Sequence, residues 1–562
     1  MDSASSFVYY ARPSAATSAG PMRGPQPAAD TNVFEVKLYQ LDQESAIAEG
    51  TPVFCENCKA VRNLYSQTVE EEGQKRWGCE FCSCPNILPG ETPNAPSDEV
   101  CTYLLDPTIR TPTAPTTSSS LDDDSTTIFC IDTSGSMQTN FPLQQPIMHH
   151  GRQLTVTNRI ESVKMTVEAQ IHQMLAETPS KKVGIVEFQT FVTMHGDGRY
   201  REVVPINQDY WQNYQPLLGY VEGKHDHYVG RPLSQSKNDL LDRLNSLTAP
   251  GAQELLGPGV LLALGLAMQG KPGSKVVLCT DGITYTEPGF YDAVGLMAQQ
   301  HGVSISVISF TSGDCNLAGI SALADLTEGS VWRVGSEYLV SRFGAGADAS
   351  RPDAFNAILS ERVVATEVQA TVTLHKALKF KNERAQEVQQ GGSQLHRKVG
   401  NASQFSSFTF EYAVKTEEEL VISEVDMEGV TQLPFQLALQ YRNLKGQLCL
   451  KTYSKVLRVT SNQEEAERAV DFDVLSRNYQ VQNARKAAGG QYSALKETDG
   501  AYQTLLARHA ASEEQKQELE DVNEQMDVLN TAVARQTAMG PARMQDDLSL
   551  AINQFKKAKK RT

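Results

Sequence analysis

The sequence predicts a multidomain α/β protein, and three patterns carry that expectation. Between residues 126 and 345, continuous apolar runs alternate with stretches of helical periodicity. Two Cys-x2-Cys pairs stand ahead of that region, and short strands of alternating polarity followed by helices stand behind it. A chain of 562 residues exceeds one hydrophobic core; typical domain sizes give about three to five domains. With 40% apolar residues most of it should fold. The net charge of −16 repels phosphate and excludes a general nucleic-acid binder. No apolar run reaches the roughly 20 residues a bilayer span needs. Residues 1–30 lack the apolar centre of a signal peptide, so the expected location is the cytoplasm, where thiols stay reduced.

In chain order, residues 1–31 are rich in Ala, Ser, Pro and Gly and read as a disordered tail. In 32–50, Phe34, Val36 and Leu38 alternate with Glu35 and Lys37, the period of a half-buried strand, here one that can complete a later β-sandwich. Residues 51–106 hold the paired cysteines. The Pro/Thr/Ser stretch 107–125 is a polar linker. Residues 126–345 form the α/β domain. Its buried strands are expected around Ile128, at 182–188, 275–279 and 303–310, with helices carrying Ile160, Val163 and Val167, then Leu261–Met268, then Val294 and Met297. Such alternation implies a mainly parallel sheet covered on both faces. Two polar insertions, 138–158 and 196–238, are expected as surface loops. Residues 362–460 read as a β-sandwich with strands that include 368–374, 405–412, 420–423, 436–441 and 447–453. Residues 461–562 are helical. Leu519, Val522, Met526, Leu529 and Val533 recur at steps of three and four, which fits a bundle face or a short coiled coil. The end, Lys556, Lys557, Lys559, Lys560 and Arg561, is basic and suits solvent, a peripheral membrane surface or an acidic partner.

Cys55-x2-Cys58 and Cys79-x2-Cys82 are separated by 20 residues. Each pair can place two thiolates on one ion, and two pairs close a tetrahedron, so Cys55, Cys58, Cys79 and Cys82 are the expected ligands of a structural zinc. The alternatives are weaker. A redox pair lacks its strand–helix context, and a RING needs eight ligands. Four protein ligands leave no position for water, so this zinc is structural and not catalytic.

Asp132 follows directly on the first buried strand, in Asp132-Thr133-Ser134-Gly135-Ser136. Loops at the carboxyl ends of such strands form the ligand crevice of open α/β sheets. Asp132, Ser134 and Ser136 offer oxygen ligands to a hard divalent ion such as magnesium, and Asp281 ends a second buried strand close enough to join them. An acidic residue of another protein can then supply the last ligand. The alternative is a vestigial site, with these side chains satisfying loop amides. These residues, with Arg159-Ile160, Val183-Gly184-Ile185-Val186-Glu187-Phe188 and Thr280-Asp281-Gly282, resemble the von Willebrand A (vWA) family over about 127–334. The resemblance implies a Rossmann-like vWA domain with a metal-ion-dependent adhesion site. The family's further threonine ligand has no counterpart in Leu255-Leu256-Gly257-Pro258-Gly259-Val260, and Thr248 lies too far back to serve without a loop rearrangement.

The order strand, zinc ribbon, vWA trunk, sandwich, helices is similar to the inner-coat cargo adaptors of COPII vesicles. Pro52-Val53-Phe54-Cys55, Trp77-Gly78-Cys79 and Gly257-Pro258-Gly259-Val260 add to that likeness. Those subunits end in a gelsolin-like domain that has no match here, and their adhesion motifs are degenerate. Both departures point to vWA proteins with a COPII-type zinc finger related to circularly permuted Ras proteins, although no Gly-x4-Gly-Lys-Ser/Thr loop occurs in this chain. His149-His150 and His225-x-His227 show no third ligand and read as surface histidines. No Ser/His/Asp set or HExxH is evident, so no enzyme is expected. The expected function is a non-enzymatic intracellular adaptor binding other proteins, in vesicle transport at ER or vesicle membranes. The alternative is a scaffold of a small-GTPase signalling assembly.

Overall fold

The computed structural model describes residues 1–10, 30–41, 47–48, 50–71, 73–88, 95–105, 125–206, 210, 212–250, 255–271, 273–282, 289–311, 317–344, 363–539, 548 and 550–552. The chain divides into two compact units. One is Met1–Pro112 with Glu367–Val533 and Ala558–Thr562; the other is Thr113–Thr366 with Ala534–Lys557. The linker expected at 107–125 and the basic end lie almost wholly outside the described residues.

The first unit begins with two short strands. Within the stretch expected to be a disordered tail, β1 (Asp2–Ser3) pairs antiparallel with β3 (Val33–Lys37), and β2 (Phe7–Tyr9) joins a different sheet. Ala4 and Val8 are fully buried. The Ala/Pro/Ser-rich composition of the first 31 residues hides this short apolar run. Next come β4 (Thr68–Glu71), β5 (Gln74–Gly78) and β6 (Pro85–Leu88), an antiparallel sheet of their own, and β7 (Val100–Leu104).

In the second unit, β8 (Thr126–Asp132) is the middle strand of a seven-stranded sheet. The hairpin β9 (Asn140–His149) and β10 (Arg152–Asn158) leads into helix α1 (Arg159–Glu177). The sheet continues with β11 (Lys182–Phe188), β12 (Val192–Gly196) and β13 (Glu202–Val204). Then follow α2 (Gln215–Val221), α3 (His225–Val229), α4 (Leu233–Ser246), α5 (Leu256–Met268) and β14 (Lys275–Cys279). The remainder is α6 (Phe290–Gln300), β15 (Ser304–Phe310), α7 (Leu317–Leu326), β16 (Val331–Val334) and α8 (Ser336–Phe343).

The strand order is β13-β12-β11-β8-β14-β15-β16, with β11, β8, β14, β15 and β16 mutually parallel and β12 and β13 antiparallel at one edge. Ile128 and Cys130 of β8 face one core, Phe129 and Ile131 the other, which is why this strand is apolar throughout. The two insertions are not irregular loops. Residues 138–158 form the hairpin, anchored by the fully buried Ile147, and 196–238 hold β13, α2, α3 and the start of α4. Leu217, Val221, Tyr228, Val229 and Leu233 supply the buried face that the polar surroundings concealed.

In the first unit, β17 (Val363–Leu374, which enters this unit at Glu367), β18 (Leu378–Lys381), β19 (Val388–Gln389), β20 (Gln394–Ser403), β21 (Ser407–Val414), β22 (Gln432–Arg442) and β23 (Leu448–Thr460) complete a two-sheet sandwich. One sheet is β1-β3-β21-β18; the other is β19-β20-β17-β22-β23-β2, with β7 also on β23. The Phe34 ring of β3 lies 4.8 Å from Phe435 of the opposite sheet, so β3 does complete the sandwich. The strand expected at 420–423 is instead part of a helix, Glu417–Ile422. Thr416 and Glu419 form a reciprocal capping box there, a helix-start signal stronger than the short apolar pattern of Leu420, Val421 and Ile422.

Helices Gln463–Arg468, Phe472–Ala488, Tyr492–His509 and Glu513–Met539 follow. In the last, Val522, Met526, Leu529 and Val533 are buried and Leu519 is half-buried. No helix of the described residues is long and apolar enough to cross a membrane.

Candidate metal centres

The four cysteines converge. Cys55 Sγ lies 3.6 Å from Cys82 Sγ, Cys58 Sγ lies 3.6 Å from Cys79 Sγ, and all four sulfurs are within 4.8 Å of one another. A tetrahedron with metal–sulfur bonds of about 2.3 Å has edges of about 3.8 Å, so the donors fit zinc. Two matching knuckles hold them. The Cys55 amide donates to Ala60 O and the Lys59 amide to Cys55 O; the Cys79 amide donates to Cys84 O and the Ser83 amide to Cys79 O. The residue after the second cysteine of each pair, Lys59 or Ser83, takes a left-handed φ of 59° or 63°. Non-glycine residues seldom do so, and here the turn curls the second sulfur back beside the first.

The Cys58 and Cys82 sulfurs, and then burial, push the Cys79 thiol up, so a closed set of thiolates needs a divalent cation. The knuckles dock on the sandwich of the same unit. Gln394 donates to Cys58 O, and Gln436 both accepts from the Val61 amide and donates to Val61 O. Cys84 stands outside the quartet.

The second centre lies at the carboxyl ends of β8 and β14, neighbours whose last paired residues are Ile131 and Cys279. One step further, Thr280 Oγ1 donates to Asp132 Oδ2 at 2.8 Å. Asp132 Oδ1 accepts the Ser134 amide at 2.8 Å, and the Ser134 and Ser136 hydroxyls are 3.1 Å apart. Asp132, Ser134 and Ser136 thus share one loop, with Asp281 on the adjoining strand end. Burial pushes the Asp132 carboxyl up to about 6; the Ser134 amide opposes this, and the charge of Asp281 adds to it. Thr248 is exposed and lies apart from this group's hydrogen bonds.

Arg159 is the residue the sequence did not flag as functional. Its Nη1 donates to Asp281 Oδ2 at 2.6 Å, with side-chain exposures of 2% and 0%, and its guanidinium lies 5.6 Å from the Phe310 ring centre. A cation in the first turn of a helix opposes the helix dipole, so its place at the start of α1 was itself a signal. The Asp281 charge therefore already has a counter-ion inside the pocket.

Behind the loop, Thr133 Oγ1 donates to Glu187 Oε1 at 2.9 Å, and His195 Nε2 lies 2.8 Å from Glu187 Oε2. The hydroxyl contacts the carboxylate and not the imidazole, the wrong order for a nucleophile–base pair. Burial raises the Glu187 carboxyl, but the contacts with His195 and Thr133 override it and leave it below its ordinary value of 4.5. A depressed carboxyl stabilises the fold above its unfolded value and loses that contribution as pH falls through the folded one. The urea midpoint should therefore drop as pH falls below about 4.5, and less steeply in Glu187→Gln. Parallel curves for the two proteins would remove Glu187 from the acid response.

Comparison with known proteins agrees with this architecture. Residues 52–91 match the Sec23/Sec24 zinc finger family. The chain is 24% identical over 495 residues to Circularly permutated Ras protein 1 of Dictyostelium discoideum, covering 82% of this chain but only 54% of that protein. It thus spans about half the length of that relative. The human COPII-coat protein Sec24c superposes with a TM-score of 0.51 at 14% identity, covering 94% of this chain and 75% of that one. A von Willebrand factor type A protein from Catenulispora acidiphila gives 0.43 at 13% identity, over 78% and 89%. The chain carries a Sec23/Sec24-type zinc finger with a structural four-cysteine zinc site, joined to a mainly parallel α/β domain, in a fold similar to that of Sec24c.

Proposed function

We propose that this chain is a non-enzymatic, cytoplasmic protein-binding adaptor whose Asp132 pocket takes part in partner recognition. The observation that carries the reading is the cluster of Asp132, Ser134 and Ser136 oxygens at the carboxyl edge of the central strands. Hydroxyls 3.1 Å apart suit one edge of a magnesium octahedron, about 3.0 Å for bonds near 2.1 Å. Asp132, Ser134 and Ser136 would hold the ion, which supplies a Lewis-acidic position for an acidic residue of the partner. Asp281, engaged by Arg159, contributes charge from the side. With no threonine in Leu255–Val260 and one carboxylate already paired, the site is a weak one that relies on the partner. The Sec23/Sec24-type finger and the Sec24c-like fold support a role in vesicle-coat protein transport, with partners among coat components and a peripheral position on ER or vesicle membranes.

A second reading, a scaffold within a small-GTPase assembly, is favoured by the similarity to the circularly permutated Ras protein. Capture from extract in magnesium tests both, with wild type and Asp132→Ala as baits. Wild type should retain its main partner, and Asp132→Ala should bind it at least about tenfold more weakly, or about 1.4 kcal/mol. Because protons compete at Asp132, magnesium-dependent capture should also weaken below about pH 6. Undiminished binding by Asp132→Ala would move the recognition surface elsewhere, and the captured partner, coat component or GTPase, decides between the readings.

A further inference from the structure

The hairpin tip and helix α1 assemble a third donor set that the zinc finger and the Asp132 pocket do not use. His149 ends β9 and pairs with Arg152, the first residue of β10, so the turn consists of two residues, His150 and Gly151. Both are left-handed, with φ of 46° and 74°. A turn of this kind favours Asn-Gly, and histidine in the first place is not what the backbone alone selects. Along a regular strand, adjacent side chains point to opposite faces. The left-handed step at His150 breaks that alternation, and the two imidazoles end on the same side with ring centres 4.0 Å apart.

Glu168 of α1 lies at the same point. Its Oε2 is 3.1 Å from His150 Nε2 and 3.5 Å from His149 Nε2, and one ligand atom from each of the three residues lies within 4.8 Å of the others. A tetrahedral ion with bonds of about 2.0–2.1 Å spaces its ligands about 3.3 Å apart, between the two observed values. One turn along α1, His172 Nε2 is 3.8 Å from the other oxygen, Glu168 Oε1, on the far side of the carboxylate and outside the group of three. Three imidazoles around one carboxylate, itself only 14% exposed, offer more donors than a single negative charge needs. The His150 side chain is 56% exposed, which leaves an entry path, and Phe343 stands edge-on to His149 on the inner side.

We propose that His149, His150 and Glu168 form a second metal site, of the nitrogen/oxygen class that binds zinc and similar borderline divalent ions, with water completing the tetrahedron. It differs in donor chemistry from the four-thiolate site and belongs to the other compact unit. The bound ion pins the hairpin tip to the middle of α1. Strand β10, which leads to the Asn158 cap and Arg159, is thereby held at both ends.

The test uses the full chain, loaded with zinc, desalted and assayed for metal. Wild type should hold two zinc ions per chain, and Glu168→Gln one. His150→Asn removes a ligand while giving the turn its preferred Asn-Gly pair, so it should fold as well as wild type and also hold one. With cobalt in place of zinc, both variants should keep the thiolate-to-cobalt absorption of the cysteine site and lose the weaker bands of the nitrogen/oxygen site. A wild type holding a single zinc with only thiolate absorption, or a His150→Asn protein that binds the second zinc with a Kd within threefold of wild type, overturns the proposal.

Discussion

Cys79→Ser is expected to leave the purified chain without stoichiometric zinc and to unfold the finger. The module has few buried apolar side chains besides its cysteines, chiefly Ala60, Trp77, Phe81 and Leu88, a core too small to stand alone. In small modules of this kind the metal contributes about 10–16 kcal/mol of apparent folding free energy, and three ligands retain only part of it. The damage should spread. Gln394 and Gln436 of the sandwich are buried and satisfied by backbone groups of Cys58 and Val61. Losing those partners costs about 1–3 kcal/mol for each group left unsatisfied. Metal analysis, Trp77 fluorescence and proteolysis between residues 68 and 78 report the three effects separately. Cys84→Ser is the control and should retain its zinc and its Trp77 emission. A Cys79→Ser protein with one zinc and intact protease resistance would exclude the four-thiolate assignment.

Arg159→Leu should destabilise the α/β unit by about 3–5 kcal/mol, the usual consequence of leaving one member of a buried ion pair without its partner. Asp281 is wholly buried, and Asp132 sits at the neighbouring strand end, so removing the guanidinium leaves two carboxylates in a low-dielectric pocket. The double variant Arg159→Leu with Asp281→Asn should be more stable than Arg159→Leu alone, because the uncompensated charge has gone with its partner. Millimolar magnesium should recover part of the single variant's loss by standing in for the missing cation. Urea denaturation with and without magnesium measures all of these. A loss below about 1 kcal/mol would make the pair a marginal contact, the range typical of exposed pairs.

The parts legible in sequence are those where local chemistry leaves one solution. Cys55, Cys58, Cys79 and Cys82 could be grouped because paired thiols have few other uses at that spacing, and their sulfurs do meet. The apolar run around Ile128–Ile131 announced a strand buried on both faces, and Asp132 at its end announced the pocket. Arg159 was not assigned a role because its meaning depends on Asp281, 122 residues away, which only the parallel pairing of β8 and β14 brings near. The carboxylate beside His149 and His150 was hidden for the same reason: Glu168 becomes their neighbour only when the insertion folds as a hairpin. Composition hid β2, and in residues 417–422 the apolar pattern overshadowed the capping box.

The interleaving of the chain's beginning with its far end has a kinetic consequence. Val8 pairs with Val459, and the Ser5 hydroxyl donates to Ala466 O across 461 positions. Contacts of such long range make folding slow. At about 5–20 residues per second, a ribosome needs roughly 20–90 s to supply the partner strand after the first one emerges. During that interval the nascent β2 and β3 present unpaired edges, and this chain should depend on holdase chaperones more than a protein of its size with local strand pairing.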